Sequence, residues 1–160
     1  MNEQNGNVYL KRERMNELEK ELKDLKTNKR KQVADRIAEA RSHGDLTENA
    51  EYDVAKEEQT HLEIKIAKLE NMLARVIVID DVAMPDNEVH ILCNVKLENL
   101  TSGSKMFFTL VSPEEADFEM DKISITSPLG KSLLGKKIND TVTLDSPSGK
   151  QQYKILEISK

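Results

Sequence analysis

The stretch G-D-L-T-E-N-A-E-Y at residues 44–52 lies at the midpoint of a long helix-forming segment, and the apolar residues on its two sides mirror one another. On each side they recur at alternating spacings of three and four, a pattern typical of an amphipathic helix that packs against another helix. A fold-back at Asp45 and Leu46 therefore predicts two antiparallel arms. The predicted pairs are Met15 with Val76, Leu18 with Leu73, Leu22 with Leu69 and Leu25 with Ile66.

The arms are long and free of helix breakers. From Leu10 to Arg75 there is no proline and only one glycine, Gly44, among many strong helix formers. The first arm, residues 11–43, would span roughly 50 Å at about 1.5 Å per residue. The apolar seam weakens between Lys29 and Gln32, where we expect a stutter or a local bend.

The residues after Asp80 alternate between apolar runs and turn-forming residues, a pattern typical of β-strands. Pro85 and Asn87 mark the linker before them. A short helix is predicted at 128–134, because proline suits the first helical turn and Gly135 suits the cap after the last. The candidate strands are Val76–Asp80, Val89–Leu97, Lys105–Val111, Ile123–Ile125, Thr141–Leu144 and Gln151–Ile158.

These patterns together predict an α+β chain with two domains. Residues 1–80 form an antiparallel helical hairpin with its tip near 44–52, and residues 81–160 form a twisted, mostly antiparallel sheet with one short helix. The composition, with 33% charged and 4% aromatic residues, agrees with a hairpin, because a two-stranded rod buries only a narrow seam.

Composition also excludes several classes of protein. The longest apolar run is far too short for a membrane span, and the first residues lack the features of a signal peptide, so we expect a cytoplasmic protein that contacts no membrane. Cys93 is the only cysteine, and its apolar neighbours predict a buried thiol without an intrachain disulfide. The net charge of −5 argues against general DNA binding but leaves local basic contacts open.

Two explanations fit the acids Asp45 and Glu48. Their spacing suits a capping box, in which Asp45 caps the second helix and Glu48 occupies its third position. Alternatively, carboxylates at the end of a long stalk hold a divalent cation or orient a water at a site outside this protein. Two carboxylates cannot fill the six positions that Mg²⁺ prefers, so the other ligands must come from a partner.

A basic run lies on the first arm beside the acidic tip. Residues 26–36 contain five basic residues against one acid, whereas residues 45–58 contain six acids against Lys56 alone. The run is either a solvated helix face or a contact surface for nucleic-acid phosphates. His43 and Tyr52 could stack or donate hydrogen bonds, but local packing explains them equally well. We find no nucleophile elbow and no glycine-rich phosphate loop.

Two neighbouring runs carry a resemblance to a known family: I-A-E-A-R-S-H-G-D-L-T-E-N-A-E-Y at 37–52 and A-K-E-E-Q at 55–59. They closely resemble bacterial transcript cleavage factors of the Gre family, nearest the GreA type. The resemblance covers nearly the whole chain. It continues with R-V-I-V-I-D at 75–80, E-E-A-D-F at 114–118 and I-S-I-T-S-P-L-G-K-S-L-L-G-K at 123–136.

Departures from the family pattern are few. Lys31 stands where the family often has proline, which makes the bend near Arg30 less certain. The run L-G-K at 129–131 replaces the commoner I-A-R and touches only the packing of the short helix.

The resemblance implies an N-terminal antiparallel coiled coil and a C-terminal FKBP-like domain. It also implies a partner, RNA polymerase, on whose secondary channel the globular domain docks while the coiled coil reaches the active site. The factor is then no enzyme, because the polymerase performs the cleavage. Asp45 and Glu48 would help to hold a shared Mg²⁺ and the attacking water, and no cofactor would be bound stably by the free protein.

The resemblance assigns roles to further residues. Asp117 and Phe118 resemble the surface that docks on the polymerase. The nascent RNA 3′ end of a backtracked complex would lie near the basic flank, with Arg36, Arg41 and Lys56 as the expected contacts. The flank comprises Lys29, Arg30, Arg36, Arg41 and Lys56. A stalk with a mostly satisfied seam also favours a monomer.

Two alternatives to a cleavage factor remain. One is a plug that occupies the polymerase channel and inhibits without promoting hydrolysis. The other is a prolyl isomerase, suggested by the FKBP-like fold, although Phe107, Phe108, Phe118 and Tyr153 are too few aromatic residues for us to identify a proline pocket.

Overall fold

The computed structural model describes residues 6–45, 49–80 and 84–160. They divide into two compact units. We call Glu13–Arg75 the hairpin unit, and we call the described residues up to Arg12 together with Val76–Lys160 the β unit. The sequence places the boundary at residue 80 and does not foresee that the first residues belong with the β unit. The α+β class, a helical hairpin followed by a β-rich half, is confirmed.

The hairpin unit consists of two helical arms. Helix α1 (Arg12–Asp24) continues through a π-helical turn (Leu25–Lys29) into α2 (Arg30–Ser42), and the return arm is α3 (Ala50–Leu73). One apolar stripe on each arm is buried, as the three-and-four spacing predicts. The buried seam residues are Leu18, Leu25, Val33, Ile37 and Ala40 on the first arm and Ala55, Ile66, Leu69 and Met72 on the second.

The π-helical turn has a cause in the spacing of the seam. Leu18 and Leu25 are one heptad apart, but Val33 follows Leu25 by one residue more than a heptad. A π-helical turn bonds residue i to i+5 and so takes up one residue more than an α-helical turn. Val33 thereby returns to the buried stripe. The predicted irregularity exists, but it lies at Leu25–Lys29 rather than at 29–32.

Ion pairs across the hairpin run in the antiparallel sense that the mirror pattern predicts. They join residues near the base of the first arm to residues late in the second, and residues near its end to residues early in the second. All are solvent-exposed, so each contributes little to stability. The pairs are Glu21 with Lys65 at 3.0 Å, Lys26 with Glu70 at 2.8 Å, Arg30 with Glu63 at 2.9 Å and Arg36 with Glu58 at 2.5 Å.

The β unit contains a five-stranded sheet and a separate two-stranded one. The strands are β1 (Val8–Leu10), β2 (Val76–Val78), β3 (Asn94–Asn99), β4 (Lys105–Val111), β5 (Lys122–Ser124), β6 (Thr141–Ser146) and β7 (Gly149–Ser159). The large sheet has the order β5-β4-β3-β7-β6, with one parallel pair, β4 with β5. The small sheet pairs β1 with β2 in parallel, and the sequence did not predict β1 because three residues are too short to show a period.

The strand predicted at Val89–Leu97 corresponds to β3, which begins five residues later, at Asn94. Leu92 has a positive φ of 71°, so the chain turns at 90–92 before β3 begins. The predicted short helix is present as α4 (Pro128–Leu133), whose first turn is capped by the Ser127 hydroxyl at 3.1 Å from the Gly130 N–H. Gly135, with φ of 78°, ends it as expected.

The core of the β unit lies between one face of the sheet and α4. Cys93 is among its fully buried residues, as predicted, and burial raises the pKa of the Cys93 thiol. Across 6–45, 49–80 and 84–160, no helix combines the length and the apolar character that a membrane span requires. The buried core residues are Val89, Cys93, Val95, Leu97, Leu110, Leu133, Val142 and Ile155.

Candidate functional site

The apex of the hairpin unit, by which we mean residues 40–45 and 49–53, begins where α2 ends. The N–H of His43 donates to the carbonyl of Ala40 at 3.2 Å, and the N–H of Gly44 donates to that of Arg41 at 3.3 Å. Gly44 then adopts a φ of 111°, which residues with a side chain rarely tolerate. The single glycine of the helical segment is therefore required where the chain leaves the first arm.

Helix α3 begins with Asn49 as its N-cap. The Asn49 side-chain oxygen accepts a hydrogen bond from the N–H of Tyr52 at 3.2 Å. The capping box built on Asp45 and Glu48 is thus wrong for Asp45, because another residue performs the capping. Asp45 is exposed at the apex, and Glu48 lies outside the described residues. Their pairing as an acidic site stays a prediction.

The Asn49 side chain also reaches the first arm. Its amide nitrogen donates to the backbone carbonyl of Ala40 at 2.6 Å. One side chain therefore joins the last turn of α2 to the first turn of α3. The sequence analysis missed this residue, although asparagine is among the most favoured N-cap residues and stands directly before the helical run.

His43 and Tyr52 take part in local packing. The imidazole Nδ1 of His43 lies 2.8 Å from a carboxylate oxygen of Glu51. Tyr52 is half-buried against the apolar cluster that contains Val33, and the guanidinium of Arg41 lies 5.8 Å from the centre of its ring. The local-packing explanation therefore fits both residues, and Tyr52 gives Arg41 a defined position through a cation–π contact.

The basic flank falls into two groups. Arg30 and Arg36 are each paired with a carboxylate of α3, with two hydrogen bonds to Glu63 and two to Glu58. The hydrogen bonds between Arg30 and Glu63 raise the pKa of the Arg30 guanidinium and lower the pKa of the Glu63 carboxyl. These two positive charges are compensated within the hairpin unit.

The other predicted flank residues have no carboxylate partner among the residues that the structure describes. Lys29 is exposed on the π-helical turn. Arg41 contacts the Tyr52 ring, and the Lys56 ammonium donates to the amide oxygen of Gln59 at 2.8 Å. Lys29, Arg41 and Lys56 therefore supply most of the uncompensated positive charge of the predicted flank.

The described part of the chain contains no cluster of three or more side chains able to hold a metal ion. Asp45 offers carboxylate oxygens, which are the ligands that Mg²⁺ prefers. The donor type at the apex thus fits a hard divalent cation, whereas the described donor count does not make a closed site.

The predicted docking residues lie on a loop of the β unit that closes on itself. The N–H of Asp117 donates to the carbonyl of Lys122 at 3.0 Å, and the N–H of Lys122 donates back at 2.9 Å. The Asp117 carboxylate accepts from the N–H of Glu119 at 3.0 Å. Phe118 is 87% exposed. Asp117 therefore supports the loop, and Phe118 presents apolar surface to solvent.

Comparison with known proteins gives matches along nearly the entire chain. The family model described as "Transcription elongation factor, N-terminal" matches residues 8–78, and the model "Transcription elongation factor, GreA/GreB, C-term" matches residues 84–160. Together they span both units.

Individual relatives agree with the family models. The chain is 50% identical over 152 residues to "Transcription elongation factor GreA" of Chlorobaculum tepidum, covering 94% of this chain and 96% of that protein. It is 43% identical over 150 residues to the factor of the same name from Christiangramia forsetii, covering 94% and 95%. A solved structure, "GreA factor homolog 1 (Gfh1) protein of Thermus thermophilus", is 27% identical with a TM-score of 0.46, covering 96% and 99%.

Proposed function

Because the chain belongs to the GreA/GreB family of transcription elongation factors, we propose that it acts on RNA polymerase and stimulates the hydrolysis of backtracked RNA. The polymerase provides the catalytic centre, and this protein is not itself a hydrolase. The hairpin unit enters the secondary channel and brings its apex to that centre. Arrested elongation complexes then resume synthesis from the newly formed 3′ end.

The observation that supports this proposal most directly is the state of Asp45. The residue is exposed at the apex of two paired helices, and the N-cap of α3 is Asn49 rather than Asp45. An exposed carboxylate at the end of a helical hairpin stands where a group that acts in another molecule's active site would be placed.

Magnesium enters this proposal as an ion shared with the polymerase. The ion polarises phosphate oxygens and lowers the pKa of a bound water. On the side of this chain, Asp45 and Glu48 would each lend carboxylate oxygens and orient the water, and acids of the polymerase would complete the coordination. The free protein would bind Mg²⁺ weakly, because most positions would be left to solvent.

The basic flank supports a contact with the extruded RNA. Phosphate contacts by lysine and arginine position a nucleic acid without reading its sequence. Lys29, Arg41 and Lys56 would contribute more than Arg30 and Arg36, because the latter two must give up carboxylate partners at 2.5–2.9 Å before they bind a phosphate. This order lowers Arg36, which the resemblance placed with Arg41 and Lys56 as an expected RNA contact.

Docking on the polymerase is assigned to the loop that carries Asp117 and Phe118. A large exposed aromatic residue on a backbone-bonded loop is typical of an anchor that fills a partner's pocket. Residues 113–121 contain five acids and no base, which suits a basic surface around that pocket.

We further propose that the protein acts in the cytoplasm as a monomer.

The prolyl isomerase alternative gains no support from the β unit. A cavity between α4 and β6 is lined by polar and aliphatic residues without an aromatic ring. Phe108 and Tyr153 pack against the core instead. An apolar pocket for proline needs such rings in its wall.

Stalled elongation complexes with labelled RNA test the proposal. With Mg²⁺, the wild-type protein should shorten the transcript from its 3′ end, and Asp45→Asn should lower the maximal rate by about 100-fold, the usual cost of losing a group that stabilises charge in a transition state. Asp24→Asn, which removes the same charge from an exposed site on α1, is the matched control. It should stimulate transcript cleavage at the wild-type rate.

Two results would contradict the proposal. If Asp45→Asn stimulated transcript cleavage at the wild-type rate, the Asp45 carboxylate would not take part in the reaction. Inhibition of nucleotide addition without any shortening, unchanged when Asp45 and Glu48 are neutralised together, would identify a channel plug instead.

A further inference from the structure

We propose that Asn49 is a positioning residue, whose side chain ties the start of α3 to the end of α2 and thereby helps to fix the place of Asp45. The inference rests on the proposed function and names a residue that acts through the apex acid rather than on the RNA. Its basis is that a single carboxamide bonds to both arms of the hairpin unit, directly before α3 begins.

Both ends of the carboxamide are used. The amide nitrogen donates to the Ala40 carbonyl at 2.6 Å, and the oxygen accepts from the Tyr52 N–H at 3.2 Å. The asparagine side chain carries an N–H donor and an accepting oxygen in one planar carboxamide. The shorter of the two bonds is the one that crosses between the arms.

The Ala40 carbonyl is a suitable anchor. It belongs to the last turn of α2, whose carbonyls lack partners within the helix. It also accepts from the His43 N–H at 3.2 Å, so the same oxygen holds both the end of α2 and the start of α3. Ala40 itself is 3% exposed and belongs to the buried seam. The clamp is therefore tied to a buried residue of the hairpin seam near the apex.

Two other contacts join the arms in the described part of the apex, the pair of His43 with Glu51 and the cation–π contact of Arg41 with Tyr52. His43 and Glu51 meet through exposed side chains, and such contacts contribute little because water competes for both groups. The Asn49 amide supplies a direct hydrogen bond from the residue before α3 to the last turn of α2. A displacement of about 1 Å at a catalytic group can lower a rate by roughly 100-fold.

Helix capping alone is the rival explanation, and the chemistry of the cap separates the two. Aspartate and serine cap helices about as well as asparagine, because each supplies the accepting oxygen. Neither can donate from an amide to the Ala40 carbonyl. Asn49→Asp and Asn49→Ser therefore keep the cap and remove the cross-arm bond, and Asn49→Ser does so without adding charge.

The experiment measures transcript cleavage by stalled complexes over a range of factor concentrations, using the full-length protein. Both Asn49 variants should show a maximal rate about 10- to 100-fold below wild type, while the concentration giving half the maximal rate stays within about twofold, because docking uses the β unit. Asn71→Asp is the matched control: it makes the same change on α3, keeps the oxygen that accepts from Arg75, and should behave as wild type.

A second measurement does not depend on cleavage. Amide hydrogen exchange followed by NMR should be about 10-fold faster at His43 and Gly44 in both Asn49 variants than in wild type, with exchange in α2 unchanged. Unfolding midpoints should stay close to wild type, since the cap is retained.

The outcomes are distinguishable from those of the proposed function. Wild-type maximal rates and wild-type exchange in both variants would overturn the inference and leave Asn49 a cap. A raised half-maximal concentration, or a rate loss that follows the unfolded fraction, would also overturn it. Absence of cleavage by the wild-type protein itself would overturn the proposed function, and the exchange data would still decide whether Asn49 holds the apex.

Discussion

The hairpin unit and the β unit bury their apolar residues in different ways. The buried seam residues of the hairpin unit keep 2–9% of their surface exposed. The buried core residues of the β unit keep only 0–4%, because the sheet and α4 enclose them from more than one side. Enclosure from several sides is what a single helix pair cannot provide.

This difference assigns separate tasks to the two units. The β unit has a core that resists solvent, and it presents Phe118 on a backbone-bonded loop. The hairpin unit encloses its apolar residues less completely, but its two long helices carry exposed charged groups at the apex. Its geometry depends on register and on local bonds at the apex rather than on the depth of its core.

The largest effect is expected from Leu97→Ala in the β unit. Removing the side chain leaves a cavity that the surrounding sheet cannot fill, which costs about 3–4 kcal/mol of the free energy of unfolding. Leu18→Ala in the hairpin unit should cost about 2 kcal/mol, since water and neighbouring side chains can occupy the vacated space. Chemical denaturation followed by far-UV circular dichroism measures both, and an equal or larger cost for Leu18→Ala would break the comparison.

A pair of single-residue deletions tests the register of the hairpin unit. Deleting Asp35 rotates Ile37 and Ala40 out of the seam and should cost about 3 kcal/mol in lost apolar burial. Deleting Asn28 instead restores heptad spacing between Leu25 and Val33, so the π-helical turn becomes α-helical at a cost of about 1 kcal/mol or less.

Thermal and chemical unfolding of the two deletion variants, compared with the wild-type protein, measures these costs. Equal destabilisation by both deletions would show that the π-helical turn does not absorb the extra residue.

The smallest effect concerns the acid dependence of stability. Arg30 lowers the pKa of the Glu63 carboxyl, so the pair contributes stability above the unfolded-state pKa of 4.5 and loses it as the pH falls through the lower folded-state pKa. Glu63→Gln should therefore destabilise slightly at pH 7, and its difference from wild type should vanish in acid.

Asp86 provides the counterpart in the β unit. The Nζ of Lys160 lies 2.7 Å from the Oδ1 of Asp86, and this hydrogen bond lowers the pKa of the Asp86 carboxyl. The stability lost in Asp86→Asn should therefore depend on pH with the same sign as in Glu63→Gln. Unfolding midpoints over a pH series measure both variants. Parallel acid limbs for wild type and Glu63→Gln would mean that the exposed pair adds nothing to stability.

Periodic features were predictable from the sequence. The seam spacing predicted both arms, and proline and glycine signals predicted α4. Non-periodic features were missed: the first strand is three residues long, and its parallel partner is far away in the chain. At the apex, the sequence favoured Asp45 as the cap because Glu48 stands at the capping-box position, whereas Asn49 has Tyr52 there and caps α3 without a box.

The basic flank shows the same limit. Lys29, Arg30 and Arg36 stood out in a run of basic residues, and the family resemblance added Arg41 and Lys56. The sequence could not tell which of these charges are compensated. Arg30 and Arg36 face carboxylates more than twenty residues away in the chain, whereas Lys29 does not. Pairing across the hairpin depends on the relative rotation of two helices, which a linear charge pattern does not contain.

The helical hairpin, the β-rich half, the buried thiol and the family could all be predicted from the chain. Each follows from short-range periodicity, turn chemistry or long matching runs, which are properties of neighbouring residues. The cap of α3, the compensated basic side chains and the position of the extra seam residue became visible only in the folded protein. Those outcomes depend on distances between atoms brought together by folding, and distance along the chain does not fix them.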